Sequence, residues 1–346
     1  MRKHVYCESK FLETCISKIN NWKFTPENFE ELQLWMCVKA MIFSRNIILH
    51  LDITADDLPK FDCVRPSKQF ADWQKEIAAK RNTSEIHLRL GNFVTLQNID
   101  KSDDTQLTAY YLTCCDSATC RNCMNECGVL AICPDNITDF KDILYDNGSA
   151  IKKNEQISWQ RKLFFSPCNS LVLVDNYILS DTRGIDNLKN IFDVLLPHSL
   201  SNEVPFQISI FTTLRSGNQR TDIDSNKRFA EIAQMVEVLR PDLLFRMAIF
   251  KCSFEQFHDR IIITNNTYIS CGGGFDLINR GTSSKTTTLS IVFPFLCKSA
   301  KWDSMAYSNF WDNVKDNYER AQEFRADYLT GFYIGDKRNR LMSQTN

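Results

Sequence analysis

The chain has 346 residues, 43% hydrophobic and 24% charged, and its 41 Lys and Arg against 42 Asp and Glu leave a net charge of −1. Such proportions belong to a folded globular protein with room for two domains, and the charge balance excludes a generic polyanion binder, so contact with nucleic acid or lipid has to use a local basic patch. The opening residues lack the apolar core of a signal peptide, and no apolar run reaches the ~18 residues of a spanning helix, which predicts a cytoplasmic protein without a transmembrane segment.

In chain order, Val5, Tyr6 and Cys7 open a strand, and Phe11, Leu12, Cys15, Ile16 and Ile19 recur at helical spacing. Pro26 and Glu27 suit the first turn of a second helix through Leu34, Trp35, Val38 and Met41, followed by a strand at 46–51. Residues 60–105 read as polar and irregular apart from a strand at 86–90. A Tyr-rich strand at 107–113, a short helix through Cys120, Cys123 and Cys127 stopped by Gly128, and a strand at 129–132 complete a small α/β domain over 1–145.

A polar connection precedes a second domain over 165–346. It opens with an apolar run at 170–179, a buried strand. Helices at 187–196 and 227–240 alternate with strands at 206–212 and 244–250. A hairpin at 257–264 and 267–271 turns at Asn265-Asn266, a strand follows at 289–293, and an amphipathic helix at 304–324 closes the pattern. Strand and helix alternate in both halves, so the fold class is α/β.

The segment FHDRIIITNNTYISCGGGFD, 257–276, carries the chemistry. Two residues apart on a strand, His258 and Arg260 leave from one face. A guanidinium fork matches phosphate oxygens, and a neutral imidazole attacks phosphorus or carries a proton. Gly272, Gly273 and Gly274 let the backbone approach an anion closely. Each feature also has a plain structural reading: an ion pair within the strand, with Asp276 as one partner, an ordinary hairpin turn at Asn265, and a bulge at the glycines.

The spacing resembles the signature of the phospholipase D superfamily, His-x-Lys, four residues, Asp, six residues, then Gly-Ser or Gly-Gly. Here it reads His258-x-Arg260, four residues, Asn265, six residues, Gly272-Gly273. The His-Asp-Arg form is also similar to a divergent bacterial branch of that superfamily. The resemblance implies a mixed sheet with flanking helices, in which His258 is the nucleophile, Arg260 the phosphate clamp and Asn265 the residue that orients a histidine. Arg replaces Lys, Asn replaces Asp, and the motif occurs once, so activity of this type requires a homodimer that brings two His258 side chains to one phosphate. Asp175, in Asp175-Asn176-Tyr177 at a strand end, supports the site or simply terminates the strand. Arg215, after the 206–212 strand, adds a second cation where open α/β sheets bind ligands, or is a solvated loop arginine.

Two functions follow. One is a phosphodiesterase of the nuclease type, requiring no cofactor, with nucleic acid or another phosphodiester as substrate. The alternative is a catalytically inactive module that binds nucleic acid, lipid phosphate or a protein partner. Cys114, Cys120, Cys123 and Cys127 form a candidate structural zinc site, against which stands their reading as buried or redox-active thiols on one helical face. Glu8, Asp52, Asp103, Asp104 and Asp135 fall near expected strand ends, where clustered carboxylates bind Mg²⁺ and scattered ones are surface acids.

Overall fold

The computed structural model describes residues 3–21, 28–42, 47–54, 56–57, 88–91, 93–141, 150–152, 167–213, 223–251, 260–271, 275, 288–292 and 333–343. The architecture is α/β, with a smaller N-terminal sheet and a larger mixed one. The first sheet holds β1 (Lys3–Cys7), β2 (Ile47–Leu51), β3 (Leu88–Leu90), β4 (Tyr110–Leu112) and β5 (Leu130–Ile132) in the order β3-β2-β1-β4-β5. Every pair in it is parallel. Parallel neighbours need long crossovers, and these include α1 (Ser9–Asn20), α2 (Phe29–Ile42), the single turn α3 (Asp104–Leu107) and α4 (Ser117–Cys127). Phe11, Leu12, Cys15 and Ile16 of α1 and Leu34, Trp35 and Val38 of α2 are buried, as the helical spacing predicts.

The register places His4 and Tyr6 on one face of β1 with His50 and Tyr111 beside Tyr6. Tyr6 stacks on His50 at 4.3 Å and on Tyr111 at 5.2 Å between ring centroids. This face is therefore an aromatic packing layer, and burial pushes the Tyr6 hydroxyl up to about 12.

The second sheet runs β13-β9-β8-β7-β10-β11-β12-β6. Its strands are β6 (Ala150–Lys152), β7 (Ser170–Val174), β8 (Phe206–Thr212), β9 (Phe245–Lys251), β10 (Arg260–Thr264), β11 (Tyr268–Cys271), β12 (Thr288–Val292) and β13 (Tyr333–Gly335). β7, β8 and β9 are parallel and the remaining pairings are antiparallel. The crossovers carry α5 (Thr182–Leu195) and α6 (Ser225–Leu239), which bury Leu188, Ile191, Phe192, Ile232 and Val236. Asp181 and Asp224 cap these helices by accepting from backbone N–H groups of their first turns. Short α7 (Arg340–Ser343) follows β13.

Some elements differ from expectation. The 170–179 strand stops at Val174, because Asp175 starts a turn. β6 lies in the stretch read as a connection and pairs with β12. The 304–324 helix lies outside the described residues.

The two sheets meet along a buried polar seam at the starting ends of their parallel strands. The Lys3 side chain at the head of β1 donates to the Asn265 carbonyl at 2.7 Å and lies 4.4 Å from the Tyr110 ring centre. The Asn169 amide, just before β7, donates to the carbonyls of Leu107 at 2.8 Å and Cys127 at 2.7 Å. Gly128, with φ +66°, ends α4 so close to the second half that a Cβ there would lie 2.7 Å from the Cys168 carbonyl carbon. Arg340 faces Asp104 across the seam at 2.9 Å.

Burial pushes the Lys3 ammonium down from 10.5 to about 7, against the pull of the Asn265 carbonyl and the Tyr110 ring face, which favour the charged form. The unfolded chain keeps this proton up to the ordinary lysine value. Between about pH 7 and 10.5 the native state therefore binds fewer protons, and stability rises with pH through that window.

Candidate functional site

β7, β8 and β9 run parallel away from the seam, and β10 runs back beside β7. The outer edge of the sheet therefore collects the C-terminal ends of three strands, the start of β10 at Arg260 and the end of β11 at Cys271, which pairs with Arg260. Open α/β sheets bind ligands in the crevice beyond such ends.

The turn after β7 builds the edge. The Asp175 backbone N–H still donates to Phe211 O at 3.0 Å, while its Oδ1 accepts from the Tyr177 N–H at 2.7 Å, which reverses the chain. The Asn176 carbonyl accepts from the Thr213 hydroxyl at 2.7 Å and the Thr212 hydroxyl at 3.3 Å, tying the turn to the end of β8. The turn is thus the strand terminator expected of Asp175, and it also leaves Asp175 Oδ2 facing Arg260 Nε at 3.7 Å.

Arg260 is held from two sides. Asp175 is almost wholly buried, and the guanidinium carbon lies 5.5 Å from the ring centre of Tyr177, which is 41% exposed. A guanidinium fixed by a carboxylate and an aromatic face, itself one-fifth exposed, is a preorganised donor for an oxyanion. Lys251 closes β9 on the same edge, three strands along, about 14 Å away at the usual strand spacing. Lys251 has no place in the sequence reading, and Tyr177 enters it as part of Asp175-Asn176-Tyr177 at the strand end. Tyr177 was visible as the neighbour of Asp175, whereas only the strand order brings Lys251 to this edge.

Of the residues expected at the site, the structure joins Asp175 and Arg260. His258, Arg215, Gly272, Gly273, Gly274 and Asp276 lie outside the described residues. Asn265 is a correction. It sits at the opposite end of β10 from Arg260, about 16 Å along an extended strand, and is buried in the seam. Its Oδ1 accepts from the N–H groups of Asn169 and Ser170, both at 3.0 Å. Its Nδ2 donates to Asn169 Oδ1 at 2.7 Å and Leu107 O at 3.3 Å. Every hydrogen-bonding site on that amide is used within the seam, and its bond to Leu107 O crosses to the first half, so it is not available to orient a histidine at the outer edge.

Cys120, Cys123 and Cys127, of the four cysteines expected as a zinc site, lie on α4. No three His, Cys, Asp or Glu side chains gather as a metal site among the described residues. The Cys123 thiol donates to Leu96 O at 3.5 Å, and Cys120 and Cys127 are buried. Cys114 sits elsewhere, its N–H donating to Glu8 Oε2 at 2.7 Å. Burial and the neighbouring Cys133 push the Cys120 thiol up, and the neighbouring Cys127 together with burial pushes the Cys123 thiol up. All six cysteines from 114 to 133 are free thiols.

The acids of the first sheet are used separately. Glu8 also accepts from the Thr113 hydroxyl at 2.6 Å and bridges the ends of β1 and β4, where the strand order reverses. Asp52 accepts from the Ser9 N–H at 2.7 Å, Asp103 caps α3, Asp104 faces Arg340, and Asp135 lies in the turn after β5. Among the described residues, no helix is long and apolar enough to cross a membrane. Compared with protein-family models, with curated proteins and with solved structures, the chain matches none.

Proposed function

We propose that the chain is a phosphodiesterase of the nuclease type, acting on nucleic acid at the outer edge of the second sheet, with Arg260 as the phosphate clamp and His258 as the nucleophile. One observation carries the reading: the Arg260 guanidinium stands at the C-terminal ends of β7, β8 and β9, fixed by Asp175 and lying over the exposed ring of Tyr177. His258 is two residues before Arg260 in the sequence, and the triple glycine follows Cys271, which pairs with Arg260. Because the His-x-Arg motif with its following glycines occurs once, the chemistry uses two copies of the chain. The first histidine attacks phosphorus and expels one oxygen of the diester. The partner's imidazolium protonates that oxygen and then activates water to release the phosphohistidine.

A second reading, a module that grips the same phosphate without cleaving it, is favoured by the seam role of Asn265, which leaves an imidazolium without that oriented partner. The test offers labelled single- and double-stranded DNA and RNA to the purified protein, with and without EDTA. Cleavage that survives EDTA and falls at least about a hundredfold in His258→Ala supports the enzyme. Binding without cleavage, weakened about tenfold or more in Arg260→Ala and restored in part by Arg260→Lys, supports the module. Neither cleavage nor binding, or indifference to both residues, refutes the site. Light scattering of a strict monomer refutes the two-histidine chemistry.

A further inference from the structure

Beside the seam, against β8, β9 and β13 of the second sheet, lies a cavity of about 860 Å³. Among the described residues, its walls come from the 99–104 loop of the first half, from residues 203–207 at the start of β8, from Arg246 and Phe250 near the two ends of β9, and from the 333–342 segment. Neither the phosphodiester reading nor any sequence motif used this space.

Its lining is chemically divided. Phe250 and Tyr333 supply rings whose centroids lie 5.9 Å apart, with Phe211 stacked behind Phe250 at 4.5 Å. Lys101, Arg246, Lys337 and Arg338 supply cations, and Asp100, Asp104 and Glu203 supply carboxylates. Asp336 braces two of the cations: both its oxygens accept from Arg338 Nε, at 2.9 and 3.1 Å, and Oδ2 lies 3.9 Å from Arg246 Nε. That network holds the Asp336 carboxyl below the usual range. Lys337 lies over the Tyr333 ring at 5.6 Å, and Lys101 pairs with Glu203 at 2.6 Å. Arg340 is spent on carbonyls and Asp104, so it shapes the wall.

Gly335 explains how ring and cations come so close. With φ +97°, it lets β13 approach β9 until an added Cβ would meet the Met247 carbonyl at 2.2 Å. The next residue, Asp336, donates its N–H to that carbonyl at 2.9 Å. One residue type at one position therefore sets Tyr333 on one side and the Arg246–Asp336–Arg338 brace on the other.

We infer that this cavity binds a nucleoside phosphate, its ring system against Tyr333 and Phe250 and its phosphates on Arg246, Lys337 and Arg338. The volume lies within the ~300–1,000 Å³ range of small-molecule sites. A flat ring gains from aromatic faces, and phosphate oxygens match guanidinium forks. Inorganic phosphate alone would leave the rings unused, and an uncharged aromatic would leave the cations unused.

The test is calorimetry on the full chain with ATP, GTP, CTP and UTP, with adenosine and tripolyphosphate as half-ligands. At least one nucleotide binds more tightly than either half-ligand. Arg338→Ala and Tyr333→Ala, both at exposed side chains, each weaken it at least tenfold without changing the thermal midpoint of the unliganded protein. Arg260→Ala, at the outer edge, leaves it unchanged. The inference is overturned if no nucleotide binds, if tripolyphosphate binds as well as the nucleotide, if both cavity variants bind normally, or if Arg260→Ala abolishes binding.

Discussion

Asn265→Ala separates the two roles open to this residue. The substitution removes the amide and keeps the backbone carbonyl that receives Lys3. It strands the N–H groups of Asn169 and Ser170, which now donate to Oδ1, and removes the Nδ2 bonds to Asn169 and Leu107. Each stranded buried donor costs about 1–3 kcal/mol, so the seam loses about 4 kcal/mol. With an m-value of about 3 kcal/mol/M, the urea midpoint falls by about 1.3 M. Fluorescence-detected urea unfolding of wild type and variant at one protein concentration measures the shift. Asn265→Asp, which restores the residue of the phospholipase D pattern, keeps two acceptors, loses both donors and buries a charge, and is also destabilised. An unchanged midpoint in Asn265→Ala together with loss of phosphodiester binding or cleavage refutes the structural account, because an orienting residue gives that result.

Lys3→Met removes the buried ammonium, and its stability profile loses the rise between pH 7 and 10.5, a slope of up to about 1.4 kcal/mol per pH unit in wild type; parallel profiles for the two proteins contradict the burial argument. Gly128→Ala forces a left-handed residue against the Cys168 backbone and lowers stability by about 2–4 kcal/mol, read by the same unfolding assay. Elemental analysis of the purified protein finds zinc well below one equivalent, since the cysteine thiols do not gather in threes among the described residues; a full equivalent retained after chelation refutes that expectation.

Much of the fold was legible because it is written in local periodicity. The apolar spacing of α1, α2 and α6 and the β-branched runs of β8 and β10 appear in the structure within a few residues of their expected limits, and β7 begins where expected. β6 and β13, three residues each, carry too few side chains for a period to register, and exist through pairing with β12 and β9. At the outer edge, Arg260 and Asp175 were visible because each sits where an apolar run begins or ends. The seam was hidden for a different reason. Asn265-Asn266 reads as an exposed hairpin turn in any local window, and its burial depends on Leu107 and Asn169, more than 90 residues away. Lys3, in a charged opening segment, reads as solvated for the same reason, yet it is 1% exposed.

The placement of the seam at the starts of the parallel strands has a consequence for how ligands act. β1 and β7 both begin at the seam and end at outer edges, with Glu8 past one and Asp175 past the other. A phosphodiester at Arg260 contacts the second half alone and leaves the seam untouched. The nucleotide cavity differs, because Lys101 belongs to the first half and Arg246 and Arg338 to the second. An occupant of this cavity binds the native chain and not the unfolded one, so it stabilises the fold by RT ln(1 + [L]/Kd), about 2.7 kcal/mol at a hundredfold excess over Kd. That is of the order of the loss expected from Asn265→Ala, so nucleotide at a hundredfold excess over Kd should restore most of the lost urea midpoint in that variant, and adding Arg338→Ala, which weakens nucleotide binding, should remove most of that restoration.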